Sequence, residues 1–185
     1  LPLTVHFGDE EYRDRVDITS EEFYDKLVKS QKSPTTSQVN PVAFEEAFRK
    51  ELEKGNSIIS IHISSDLSGT YQSAVIAKES IGSDRISIID SRTATFALGA
   101  IVLKTAELVE KGLTHEEVVR EVEEFKNKVN LLIVVDTLEY LKRGGRLSGA
   151  QAMIGGMLNI KPKLTIKDGK VVVVDKARGI KKALK

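Results

Sequence analysis

Apolar residues along this chain change their spacing from segment to segment, and each change predicts a different element. Leu3, Val5 and Phe7 alternate with polar residues, Gly8-Asp9-Glu10-Glu11 offers a turn, and Arg15-Val16-Asp17-Ile18 reads as the return of a hairpin. The spacing then turns helical. Phe23, Leu27 and Val28 lie on one stripe, and Thr19 with Glu22 three residues on is a capping box that opens the helix. Residues 30–40 are polar with no apolar period and read as a loop. Asn40 and Pro41 are good N-cap and N1 residues for the next helix, which Gly55 should stop.

From there the pattern becomes regular. Residues 57–63 (SIISIHI), 85–89 and 131–135 (LLIVV) are short, nearly continuous apolar runs, separated by helical stretches that end near Gly82 and Glu110 or start at the Thr114–Glu117 capping box. Such runs predict βαβ units and a parallel sheet covered on both faces. After Asp136 the character changes. LEYLKRGGRL (138–147) is basic and glycine-containing, residues 151–158 read as a small-residue helix, and Asp168-Gly169 between apolar runs signals a tight hairpin. The fold class expected is α/β: a parallel-sheet domain over residues 1–148, then the start of a second α+β domain over 149–185 with an antiparallel hairpin.

Composition narrows the function classes. The 185 residues are 41% hydrophobic and 30% charged, an ordinary globular balance, and 28 Lys and Arg against 27 Asp and Glu leave a net charge of +1. No field results that would draw nucleic acid or an acidic membrane. There is no cysteine, which excludes disulfides, thiolate nucleophiles and thiolate-held metals. No apolar run nears the roughly 20 residues of a membrane span, so a soluble, cytoplasmic protein without integral membrane association is expected.

Chemistry in an open parallel sheet belongs at the carboxyl ends of its strands. Hydroxyls crowd there: Ser64, Ser65, Ser68 and Thr70 after the first parallel strand, Ser91, Thr93 and Thr95 after the second, Thr137 after the third. Thr35, Thr36 and Ser37 stand in the earlier loop. Hydroxyls beside free N–H groups at a helix start form a neutral anion site, although Ser and Thr also simply cap helices and fill turns. Neither GxGxxG nor GxxxxGK[ST] occurs, and Gly69 is the lone glycine of its loop. A carboxylate therefore suits the loop better than a pyrophosphate.

Three stretches, in this order, are distinctive: Thr36-Ser37-Gln38, ISSDLSGTYQSA (63–74) and LEYLKRGGRL (138–147). Together they resemble the DegV family of bacterial fatty-acid-binding proteins, over nearly the whole chain and including the Asp168-Gly169 hairpin. The resemblance implies a two-domain α/β protein that encloses one long-chain fatty acid between its domains and does no chemistry itself. It presents the acid to a fatty acid kinase that makes the acyl phosphate. Carried over residue by residue, Thr36 and Ser68 hold the carboxylate, with Ser37, Ser65 and Gly69 beside them, and Arg146 faces the kinase. Thr35 remains an alternative to Thr36. Ala74, Val75 and Ala77, with Ala152, Met153, Ile154, Met157 and Leu158, are candidates to line the tail, ordinary core packing being the alternative. No cofactor or metal is implied. The chain departs from the family in lacking its first strand with a D-S-T-A-D-like loop and in stopping early, so it reads as a fragment. Val39 and Asn40 also intervene before Pro41.

The nearest rival is a serine hydrolase or acyltransferase with Ser68 as nucleophile. It needs a base, and of the histidines only His62, in the strand before the loop, is a candidate. His6 lies in the opening hairpin, His115 should face solvent, and no GxSxG elbow is present. A metal centre finds no support, because His115-Glu116-Glu117 is followed by Val119 where HExxH requires histidine. A DNA-binding role would rest on the basic stretches at 143–146 and 178–185, which the overall charge balance does not favour.

Overall fold

Strand β1 (Thr4–Phe7) pairs antiparallel with β2 (Glu10–Arg13), Phe7 opposite Glu10, so Gly8-Asp9 alone makes the turn, with Gly8 at φ 65°. The return strand thus comes earlier than residues 15–18. Those residues form a turn instead, because the Asp17 carboxylate accepts hydrogen bonds from Arg13 Nε at 2.8 Å and from the Arg13 backbone at 2.9 Å. Arg13 holds the Asp17 carboxyl down to about 2. Ile18 swings in and is buried with Val5 and Phe7, against Leu3, Tyr12 and Phe23.

The computed structural model describes residues 1–30, 32–147 and 160–184. They fall into two compact units, Leu1–Ile58 with Gln72–Ile86, and Ile59–Tyr71 with Ser87–Lys185. In the first unit, α1 (Ser20–Lys29) starts at the Thr19–Glu22 capping box, as predicted. The polar loop contains a strand, β3 (Thr35–Ser37), which pairs antiparallel with β1 and completes a sheet of order β2-β1-β3. All three of its side chains are exposed, so no apolar alternation marked it in the sequence. Helix α2 (Pro41–Glu53) begins where Asn40 Oδ1 accepts the Ala43 N–H at 2.9 Å, and it buries Phe44 and Phe48. Helix α3 (Thr70–Ile81) buries Ala74 and Ala77.

Strands β4 (Ile58–His62) and β5 (Ile86–Asp90) form the predicted parallel pair. In the second unit, α4 (Thr95–Glu110) and α5 (His115–Lys126) pack over it, with Ile89, Ile101, Leu108, Val118 and Val122 as the core. The third apolar run departs from expectation. Only β6 (Ile133–Val134) is strand, and it pairs antiparallel with β7 (Ile160–Lys167) rather than extending the parallel sheet. Leu131 O accepts the Thr165 hydroxyl at 2.7 Å, and the Val135 N–H reaches Pro162 O at 3.2 Å. β7 and β8 (Lys170–Arg178) form the hairpin predicted at Asp168-Gly169, with φ of 51° and 81° at the two turn residues. Positive φ at both positions is the primed turn that matches strand twist. Leu164 and Val171 of the hairpin share a buried cluster with Leu138 and Leu147, which flank α6 (Glu139–Arg143). Helix α7 (Ile180–Ala183) follows β8. The expected domain boundary near Gly149, the 151–158 helix and the tail-lining candidates Ala152, Met153, Ile154, Met157 and Leu158 lie outside the described residues. None of the described helices is long and apolar enough to cross a membrane.

Candidate functional site

The loop from β4 to α3 is built around Ser64, which is fully buried. Its N–H donates to Thr93 O at 2.9 Å, and its carbonyl accepts the N–H groups of Leu67 at 2.9 Å and Ser68 at 3.1 Å. Its hydroxyl accepts the Asp66 N–H at 3.3 Å and donates to Gly169 O at 2.8 Å. A buried residue with every polar group engaged is a structural pivot, and the turn it anchors delivers Ser68 to the start of α3. The Ser68 N–H is thereby occupied, so what Ser68 offers a ligand is its hydroxyl. That hydroxyl is half-buried, shares a hydrogen bond of 3.0 Å with Thr70 Oγ1, and accepts the Thr70 N–H at 3.3 Å. A hydroxyl so placed can donate to an anion while its lone pairs stay satisfied.

Two guanidinium groups hold the same loop. Arg146 Nε donates to Leu67 O at 3.1 Å and its Nη1 to Gly144 O at 2.6 Å. Arg146, expected from the family resemblance to face a kinase, is therefore tied to the carbonyl just before Ser68, while its side chain stays at the surface. Arg92 Nη1 meets Asp66 Oδ2 at 2.7 Å and Nη2 donates to Asp168 O at 2.5 Å. Ser65, exposed, donates its hydroxyl to Asp90 Oδ2 at 2.6 Å. Gly69 is half-buried beside Ser68. Lys126 Nζ donates to Asp90 O at 2.9 Å, which secures the end of β5 that presents this carboxylate.

Thr35, Thr36 and Ser37 belong to the first unit, on β3, and are exposed. Thr36 stands opposite Val5, and Ser37 Oγ is 2.8 Å from His6 Nε2. Strand alternation sends the Thr36 side chain to the face opposite those of Thr35 and Ser37, so Thr35 and Thr36 are not interchangeable. Gln38 Nε2 donates to the buried Ser73 Oγ at 3.0 Å, fixing the end of β3 against α3.

The histidines are engaged elsewhere. His62 is buried, and its Nε2 shares a hydrogen bond of 2.7 Å with Ser60 Oγ. Its ring lies edge-on to Tyr71. Burial pushes its pKa below the ordinary histidine value, with Asp90 opposing that shift. His115, expected to face solvent, is instead half-buried, its Nε2 2.8 Å from Ser87 Oγ, because α5 packs its first turn against β5. Among the described residues, no group of three or more His, Asp or Glu is placed to hold a metal ion.

Sequence reasoning missed the roles of Ser64, Asp66, Arg92 and Gly169. Their partners lie far along the chain, and only the tight Asp168-Gly169 turn hinted at one of them.

The whole chain, residues 1–185, matches the family model described as uncharacterised protein, DegV family. A DegV domain-containing protein of Caldanaerobacter subterraneus subsp. tengcongensis is 47% identical over 185 residues, covering 100% of this chain and 66% of its own length. Protein DegV of Bacillus subtilis is 39% identical over 186 residues, with the same coverage. Among solved structures, a DegV family protein from Thermus thermophilus described by its fatty acid binding matches with a TM-score of 0.89. It is 42% identical, over 98% of this chain and 65% of that one. The structure of Bacillus subtilis DegV, described as a fatty acid binding protein, matches with a TM-score of 0.84 at 39% identity, over 100% of this chain and 66% of that one. The chain thus spans 66% of the length of each of these two curated relatives.

Proposed function

We propose, from the premise that the chain belongs to the DegV family, that it is part of a soluble cytoplasmic carrier that binds a long-chain fatty acid without chemical change. The observation that carries this reading is the likeness to two solved DegV proteins described as fatty-acid-binding, at 42% and 39% identity. Thr36 and Ser68 hold the carboxylate, and the acyl chain is buried. A fatty acid kinase is the partner to which the carrier presents the acid, with Arg146 near the contact.

The expected energetics divide the work. A hydrogen bond to a charged carboxylate is worth about 1.5–3 kcal/mol, and each buried methylene about 0.8 kcal/mol. A tail of a dozen or more carbons then contributes on the order of 10 kcal/mol. The tail supplies affinity, and the two hydroxyls supply register and choice of head group. Against a hydrolase, Ser68 Oγ is bonded to Thr70 Oγ1, while the Nε2 of His62, the candidate base, is engaged by Ser60 Oγ.

Mass spectrometry of the purified full-length protein, native and after organic extraction, tests the proposal. A fatty acid at near-equal stoichiometry is expected. A protein that emerges empty and takes up no added fatty acid would refute it.

A further inference from the structure

We propose that Arg92 is a positioning residue, which clasps the Ser68 loop to the tip of the β7–β8 hairpin and so sets the preference for a carboxylate head group. This rests on the reading that Ser68 holds the carboxylate.

Arg92 has a left-handed backbone, φ 55°, in which side-chain-bearing residues are uncommon. Such a conformation persists where the surroundings over-determine it. Here they do. The Arg92 N–H donates to Asp90 Oδ1 at 2.9 Å, while the guanidinium reaches Asp66 Oδ2 at 2.7 Å and Asp168 O at 2.5 Å. It also lies 3.7 Å from Asp90 Oδ2, and Lys170 Nζ lies 3.6 Å from Asp66 Oδ1. Two cations and two carboxylates are thus interleaved at the loop, and their charges balance.

The hairpin tip is seated closely on this arrangement. A Cβ on Gly169 would stand 2.6 Å from both Asp66 Oδ2 and Ser64 Oγ, and 2.9 Å from Arg92 Cζ. Asp66 lies two residues before Ser68, and the intervening Leu67 carbonyl is held by Arg146. A carboxylate contact needs its donor placed within about 0.5 Å. Fixing residues 66 and 67 limits where the Ser68 hydroxyl can point. The two acceptors of Arg92 are bound through different nitrogens, which a planar fork can do and a single ammonium cannot reproduce.

The test measures binding of a fatty acid and of the fatty alcohol of equal length to the full-length protein. Wild type is compared with Arg92→Gln, Arg92→Lys, Ser68→Ala and the Arg92→Gln/Ser68→Ala double variant. The acid-over-alcohol preference should fall about tenfold or more in Arg92→Gln, the worth of one charge-assisted bond. It should fall less in Arg92→Lys, and no further in the double variant than in Ser68→Ala. If Arg92→Gln weakens both ligands equally, or neither, Arg92 serves stability alone and the proposal is overturned while the carrier reading stands. If Ser68→Ala keeps the wild-type preference, the carboxylate assignment falls and this inference with it. Should Arg92→Gln not fold, Asp66→Asn removes the same ion pair from the other side and supports the same comparison.

Discussion

Ser64 illustrates how a residue with no free polar atom can still govern a site. Its hydroxyl joins the Asp66 N–H to the Gly169 carbonyl in a fully buried position. Ser64→Ala would leave both of those groups short of a partner, which costs about 1–3 kcal/mol for a buried group. Urea denaturation should show that loss as a lower midpoint with an unchanged slope. His62 makes a different prediction, because its ring is buried and its pKa is depressed by that burial. The folded state then binds its proton less readily than the unfolded chain, whose histidine titrates near pH 6.5. Between the two pKa values the unfolded state holds more protons, so stability falls as pH drops from about 6.5 toward the folded value. Below the folded value the loss is complete. The denaturation midpoint of wild type should therefore drop more between pH 7.5 and pH 5.5 than that of His62→Gln. Parallel pH dependences in the two proteins would mean that other groups govern the acid limb.

At the scale of elements, the seating of the hairpin is the feature most open to test. Gly169 has φ 81° and no room for a Cβ. Gly169→Ala combines a left-handed backbone with a clash against Asp66 and Ser64, and should cost about 1–3 kcal/mol from the backbone strain alone, read as a drop in thermal midpoint. The same hairpin shows what a sequence does and does not reveal. Its turn was legible because Asp-Gly carries its preference for positive φ locally. The Thr19 and Thr114 capping boxes and the Asn40–Pro41 start were legible for the same reason, each being complete within four residues. Strand β3 was not, since its exposed Thr35, Thr36 and Ser37 owe their conformation to pairing with β1. The run at 131–135 was misjudged because an apolar segment fits a parallel or an antiparallel neighbour equally well, and its partner β7 is distant in the chain. The candidate site divides in the same way. Ser68 could be picked out by motif, but Ser64 bonds to a residue 105 positions away, and no local pattern encodes that.

For the whole molecule, the charge inventory explains why binding should be driven by burial. With 28 basic and 27 acidic residues, many are spent in exposed pairs one helical turn apart, such as Asp25–Lys29, Glu51–Lys54 and Glu107–Lys111. Pairs of this kind add little stability and project little field. On the carrier reading proposed above, such a chain attracts its ligand through apolar area and a few fixed hydrogen bonds, not through long-range charge. Saturation of the full-length protein should therefore appear as thermal stabilisation that persists in salt. At a free ligand concentration 100 times Kd, binding adds about 2.7 kcal/mol to the folded state. At about 2–4 °C per kcal/mol for a domain of this size, the midpoint should rise by roughly 5–10 °C. The rise should survive added sodium chloride, because the buried methylenes that supply most of the affinity are not screened. A shift that disappeared at high salt would point to a surface-bound anion in place of an enclosed acyl chain.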